Sequence, residues 1–168
     1  EIYSGNCAND IEEDEPFSGS GQKADTLSQA EEMCENFRLN RNMDIVVLRL
    51  DHLYGIPKEK KDVDNIVSRM CLECMKDGHI RAELDHTFSV LDEKDAVEYI
   101  YQIVKTGHHK YVKYHLSSND IVSEMQLAAM VQKEIGGESN LVEVPGGSGR
   151  CVLSGRRYEE EFGMHAFG

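Results

Sequence analysis

The residues best suited to chemistry fall into a few short groups. Gly19-Ser20-Gly21-Gln22-Lys23-Ala24 matches G-x-G-x-x-G/A, the pattern in which glycine backbone at a helix N-terminus approaches a dinucleotide pyrophosphate. It opens a helical pattern, but acidic loop residues precede it where that mechanism needs a strand. Gly146-Gly147-Ser148-Gly149-Arg150 has the composition of an anion-binding nest, yet without a helix at its end it reads as a flexible loop. Cys71 and Cys74 lie at helical i, i+3 spacing on an apolar face with no second pair at zinc-finger distance, so they read as small buried hydrophobes. His108 and His109 follow Thr106-Gly107 at a helix end, where imidazolium complements the dipole. The acidic runs Glu12 to Glu15 and Glu159 to Glu161 read as solvated faces.

The elements that must carry these groups follow from apolar spacing. The segment from Ser4 to Ala24 is rich in Gly, Asn and acids with no apolar period, and reads as exposed loop. From Asp25 to about Asn40, Leu27, Ala30, Met33, Cys34 and Phe37 recur at three-and-four spacing, which predicts a helix with that face inward. Ile45-Val46-Val47-Leu48 predicts a strand buried on both faces of a parallel sheet. Asp64 caps an expected helix running to about Lys76, closed by Asp77-Gly78. Strands are expected near Ile80 to Leu84 and Thr87 to Leu91, then a helix from about Lys94 to Lys105 with Ala96, Val97, Ile100, Ile103 and Val104 inward. A strand from Tyr111 to Leu116, a polar turn, a helix from about Ser123 to Ile135 and a strand from Leu141 to Val144 complete the series. This alternation argues for the α/β class with parallel connections.

Composition narrows the partners. At 168 residues the chain fits one domain. A hydrophobic fraction of 40% with 14 glycines excludes disorder along the whole length. Lys and Arg total 18 against 31 Asp and Glu, a net charge of −13, which repels a nucleic-acid phosphate backbone. No apolar run reaches the roughly 18–20 residues of a membrane span, and no charged-then-apolar leader opens the chain. Five irregularly spaced cysteines point to a reducing, cytoplasmic setting rather than a disulfide scaffold. Glu1-Ile2-Tyr3 reads as the tail of a preceding element, so an excised fragment is expected.

The segment Val46-Val47-Leu48-Arg49-Leu50-Asp51-His52-Leu53-Tyr54-Gly55 resembles the late-strand motif of extended short-chain dehydrogenase/reductases, the NAD-dependent nucleotide-sugar epimerases and dehydratases. Glu1-Ile2-Tyr3 is similar to the end of the strand leading to that family's Val-Tyr-Gly loop, and Glu13-Asp14-Glu15-Pro16 to the acidic stretch after it. Phe88 to Leu91 with Asp95-Ala96-Val97, Ser117-Ser118 through Leu127-Ala128, and Arg156-Arg157-Tyr158 through Gly163 follow in the family's order.

The resemblance implies a partial Rossmann-like parallel sheet with flanking helices plus a small mixed α/β substrate lobe. Residues 1–56 would be the tail of the nucleotide-binding sheet and 57–168 the substrate-binding lobe. NAD or NADP would be held by the remainder of the parent polypeptide, with none expected for this chain alone. A nucleotide sugar would be the substrate. A sheet edge left uncovered would favour self-association.

Family chemistry uses a Tyr made acidic by a Lys four positions on. The best register sets Asp25 on the Tyr position and Gln29 on the Lys, and no Tyr occurs between Tyr3 and Tyr54. Tyr54 with Lys58 and Tyr101 with Lys105 have the spacing but not the context; Pro57 interrupts the first. Asp25 and His52 are the substitute candidates for the base. His52 stands where the family has a phosphate-binding Asn, and a structural hydrogen bond is its alternative role. Arg156 or Arg157 could meet a diphosphate bidentately, or pair with Glu159 to Glu161. The resemblance thus leaves two readings open: a degenerate epimerase/dehydratase-like enzyme, and a catalytically silent binding or scaffold domain.

Overall fold

The computed structural model describes residues 3, 7–56, 65–118, 120–136, 139–147 and 149–163. In chain order the elements are α1 (Gln22–Arg41), β1 (Val47–Leu50), β2 (His52–Tyr54), α2 (Ile66–Asp77), β3 (His79–Glu83), β4 (Thr87–Asp92), α3 (Glu93–Thr106), β5 (Lys113–Leu116), β6 (Ile121–Ser123), α4 (Glu124–Ile135), β7 (Asn140–Val144), β8 (Arg150–Cys151) and α5 (Arg156–Phe162). The molecule is an α/β fold with parallel strand pairs and flanking helices, as expected.

Three strand groups carry it. β1 pairs in parallel with β5, from Val47 opposite Lys113 to Leu50 opposite Leu116. β4 lies beside β2 in parallel, with His52 opposite Val90, and takes β6 antiparallel and β8 in parallel along its first residues. β3 and β7 pair in parallel. β1 and β2 are separated by Asp51 alone, so the chain leaves β5 for β4 at one residue. The pairing of β1 with β5 joins residues before and after position 56, making that boundary one of sequence rather than of sheet.

Helix ends follow local chemistry. Asn65, rather than Asp64, caps α2 by accepting the Ser68 N–H at 2.8 Å; Asp64 lies outside the described residues. Gly78 closes α2 at φ 66°, a conformation that favours glycine. Asp92 caps α3 by accepting the Lys94 N–H. Ser123 and Gln126 form a reciprocal capping box on α4.

Two apolar clusters result. Met70 of α2, Ile80 of β3, Phe88 of β4 and Ala128 of α4 are fully buried in one. Leu91, Ile103, Tyr114, Leu116 and Tyr158 centre the other. α3 buries Ala96 and Ile103 as expected, but Val97 and Val104 are 66% and 71% exposed, because the inward stripe of this helix runs through Ala96, Tyr99, Ile100 and Ile103.

Four further expectations need correction. α1 forms, but Leu27, Met33 and Phe37 remain exposed, and Ala24 is its one buried residue. The supposed loop before it contributes Ile11 and Glu13 to the interior, each 1% exposed. Ile11 bridges Leu153 in parallel, and the Glu13 carboxylate accepts the His115 N–H at 2.9 Å. The polar turn before α4 contains the short strand β6, and β8 was not foreseen. The β1 strand begins at Val47 rather than Ile45, with β5 as its sole strand partner among the described residues.

Replacing Ser123 with Ala removes the hydroxyl that accepts the Gln126 N–H at 3.1 Å. Stability should fall by about 1 kcal/mol, seen as a lower urea midpoint at unchanged slope. An unchanged midpoint would show that the cap contributes nothing.

Candidate functional site

Where β1 hands over to β2, the structure opens a cleft of about 690 Å³. Leu27, Ala30 and Cys34 of α1 form one wall, the strand residues from Val47 to Leu53 another, and Ile66 of α2 with Glu93 of α3 close the end. Of the exposed apolar residues of α1, Leu27 faces this cleft, whereas Met33 and Phe37 lie outside its lining. A crevice at the point where strand partners change is the usual place for a ligand in an open α/β sheet.

The floor is polar and buried. Arg49 donates to both Glu31 carboxylate oxygens, at 2.7 and 2.8 Å, to the Glu13 carbonyl at 3.0 Å, and to the Tyr3 hydroxyl. Its guanidinium also lies 4.7 Å from the Phe17 ring centre. Burial works to raise the Glu31 carboxyl, but Arg49, with Lys113 beside it, outweighs that and leaves it below the ordinary carboxylate range. Tyr3 completes a link to His115, its hydroxyl 3.2 Å from Nε2. Burial pushes the Tyr3 phenol up to about 12 despite Arg49, so it does not supply phenolate near neutral pH. Burial, assisted by Arg49, lowers His115 to about 4 and keeps its imidazole neutral.

Beside this floor, Asp51 gathers the strand ends. Its Oδ2 accepts from Ser117 at 2.9 Å and from Ser89. Its Oδ1 accepts the His52 N–H at 2.8 Å and lies 3.1 Å from His52 Nδ1. His52 is half-buried, stacks at 4.8 Å on Phe88, and lines the cleft. Its second ring nitrogen is thus set by Asp51 to act as donor or acceptor to a ligand.

The other expected residues lie elsewhere. Asp25 is exposed on α1 and does not line the cleft. Arg156 pairs with Glu12 at 3.2 Å, and Arg157 with Glu13 at 3.3 Å and with Asp14, instead of with Glu159 to Glu161. A buried Glu13 carboxylate attracts the nearer cation, and burial in turn raises its own carboxyl despite Arg157. Neither arginine lines the cleft. Gly21 caps α1 at φ 98° with no side-chain help, and turns and irregular backbone rather than a strand lead into it. The G-x-G-x-x-G/A match therefore lacks the preceding strand of that motif. Gly147 packs within 2.9 Å, measured from an ideal Cβ, of the Asp85 backbone, a close approach rather than an open nest.

Lys105 lies over the Tyr101 ring at 5.8 Å on the surface, whereas Lys58 falls outside the described residues. Cys74 is buried and donates to Ser139 at 3.4 Å; Cys71 packs against the same core. Sequence reasoning missed Tyr3, Glu31, Arg49 and Asp51. The signal for Arg49 was available: a lone charge in an otherwise apolar run, which needs a buried partner.

No protein-family model matches this chain, and no curated protein matches it. Solved structures do. dTDP-glucose 4,6-dehydratase from Bacillus anthracis in complex with NAD aligns over 99% of this chain and 54% of that one, with TM-score 0.84 and 13% identity. UDP-glucuronic acid 4-epimerase from Bacillus cereus in complex with UDP-glucuronic acid and NAD aligns over 95% and 52%, with TM-score 0.78 and 15% identity. Along nearly its whole length the chain has the fold of about half of each of these two enzymes. A third, dTDP-4-dehydrorhamnose reductase from Bacillus anthracis in complex with NADP, aligns over 98% and 57%, with TM-score 0.78 and 14% identity. The chain spans about half the length of these neighbours. Among its described residues, no helix is long and apolar enough to cross a membrane.

Two measurements test the polar floor. Arg49→Met leaves Glu31 without its principal partner and should destabilise by about 3 kcal/mol, with most of the loss recovered by adding Glu31→Leu. A loss under about 1 kcal/mol would show the pair to be dispensable. Stability should also fall with acid: the unfolded chain protonates His115 near 6.5, but the folded chain refuses the proton until about 4. That window removes up to about 3 kcal/mol, while Glu13, its carboxyl raised by burial, acts in the opposite sense. Urea midpoints of His115→Gln should therefore vary less with pH across this range than those of the wild type, and equal slopes would refute the assignment.

Proposed function

We propose that this chain is part of a nicotinamide-dependent, nucleotide-sugar-modifying protein, and that its cleft contacts the sugar nucleotide. The observation that carries this reading is the coincidence of two features. The chain shares the fold of nucleotide-sugar dehydratases and epimerases along nearly its whole length, and a polar-floored cleft of about 690 Å³ opens at the strand change. His52, held by Asp51, is assigned to a substrate phosphate or hydroxyl. The cofactor, NAD or NADP, is assigned to the rest of the parent polypeptide, because the glycine turn at Gly21 is a poor dinucleotide cradle. Residues 57–168 would carry most of the substrate lobe and residues 1–56 the end of the cofactor sheet. β1, paired with β5 alone among the described residues, would be the edge through which the isolated chain self-associates.

The usual Tyr and Lys are replaced by Asp25 and Gln29 in this reading, and Tyr3 is too weak an acid to stand in. His52 is then the better placed of the two substitute bases. Asp25, exposed and away from the cleft, supports the second reading, a domain that binds nucleotide sugars without turning them over.

Calorimetric titration separates these outcomes. The full-length protein should bind both NAD(P) and a nucleotide sugar, and His52→Ala should weaken the sugar nucleotide about ten-fold. Binding without turnover would favour the silent domain. No heat with any nucleotide sugar would overturn the proposal, as would micromolar NAD binding by residues 1–168 alone for the cofactor assignment.

A further inference from the structure

At the far side of His52 lies a second cluster that the cleft does not use. Glu83 ends β3, His86 sits in the turn to β4, and Glu124 is the first residue of α4. One ligand atom from each of these residues lies within 4.8 Å of the other two. His86 Nδ1 is 2.9 Å from Glu124 Oε2 and 3.8 Å from Glu83 Oε2. A tetrahedral cation with bonds of about 2.0–2.2 Å holds neighbouring donors about 3.3–3.6 Å apart. The two observed spacings bracket that distance, and Glu83, with a side chain 37% exposed, has room to make the adjustment.

The backbone fixes the other two donors. The Glu124 N–H donates to the His86 carbonyl at 2.9 Å, and Thr87 pairs with Ser123 in the adjoining ladder. Arg69 donates to Glu124 Oε1 at 2.6 Å, orienting the carboxylate with Oε2 toward His86, as outer partners of metal ligands do. Phe88, fully buried, backs the imidazole with ring centres 4.6 Å apart. Charge points the same way. Glu73 and Glu124 pair with Arg69 and Arg81, while Glu83 brings a further carboxylate to His86.

We infer that Glu83, His86 and Glu124 form a site for one divalent cation of the zinc type, with a fourth position open to water or another ligand atom. The site ties the β3–β4 turn to the start of α4 and does not depend on the nucleotide-sugar reading.

The test uses the full chain stripped of metal, titrated with zinc against a chromophoric chelator and with cobalt as a spectroscopic probe. One equivalent should bind, and cobalt should give a tetrahedral spectrum without thiolate charge transfer. His86→Gln and Glu83→Gln should each weaken zinc by at least about ten-fold. Glu83→Gln keeps the His86–Glu124 and Arg69–Glu124 contacts, and its circular dichroism and melting temperature in chelator, compared with those of the wild type, separate a lost ligand from a lost fold. No uptake by the wild-type chain, a thiolate band, or unchanged affinity in either variant would overturn the site.

Discussion

The architecture of the cleft depends on the carboxylate of Asp51. Its side chain is almost wholly buried, and a buried charge is tolerated only when its lone pairs are met. Ser89 of β4, Ser117 just after β5, and the backbone and ring of His52 all meet it. The Asp51 N–H in turn donates to the Leu116 carbonyl at 3.1 Å. One side chain thereby joins the two strand groups at the residue where the chain changes partner. An apolar side chain there would strand two hydroxyls, and an amide would present donors to donors.

From that junction the remaining geometry follows. Because β1 ends against β5 and β2 begins against β4, the strands part at this point and α1 cannot close over both. The gap is the cleft. Its floor holds a cation, Arg49, that Glu31 neutralises, and beside it two groups, Tyr3 and His115, that burial keeps uncharged. Such a floor presents oriented dipoles and a balanced ion pair, suited to holding a polar ligand in place. His52 is the group at its edge with a ring nitrogen still facing outward chemistry, which is why it carries the functional assignment rather than Asp25.

The alternation of helices and strands was legible from apolar spacing, because α2, α3, α4 and the strands β3, β4 and β5 each bury a side chain in one of two clusters and β7 packs Leu141 against one of them. Gly78 and Gly107 marked helix ends correctly through their left-handed conformations. What sequence did not reveal was long-range polar pairing. Glu13 looks like any member of an acidic run, and only the fold brings His115 and Arg157 to it, 102 residues away in the case of His115. α1 misled for a related reason: Leu27, Ala30 and Cys34 line an open cleft while Met33 and Phe37 stay exposed outside it, and spacing alone does not distinguish these settings from a core. β6 and β8, of three and two residues, are too short to show a period.

Hydrogen–deuterium exchange of the full-length protein, with and without a saturating nucleotide sugar, tests the central claim most directly. If the Asp51 junction builds the ligand site, protection should appear over residues 47–53 and on the facing turns of α1. Binding that leaves that stretch unprotected while slowing exchange elsewhere would contradict it.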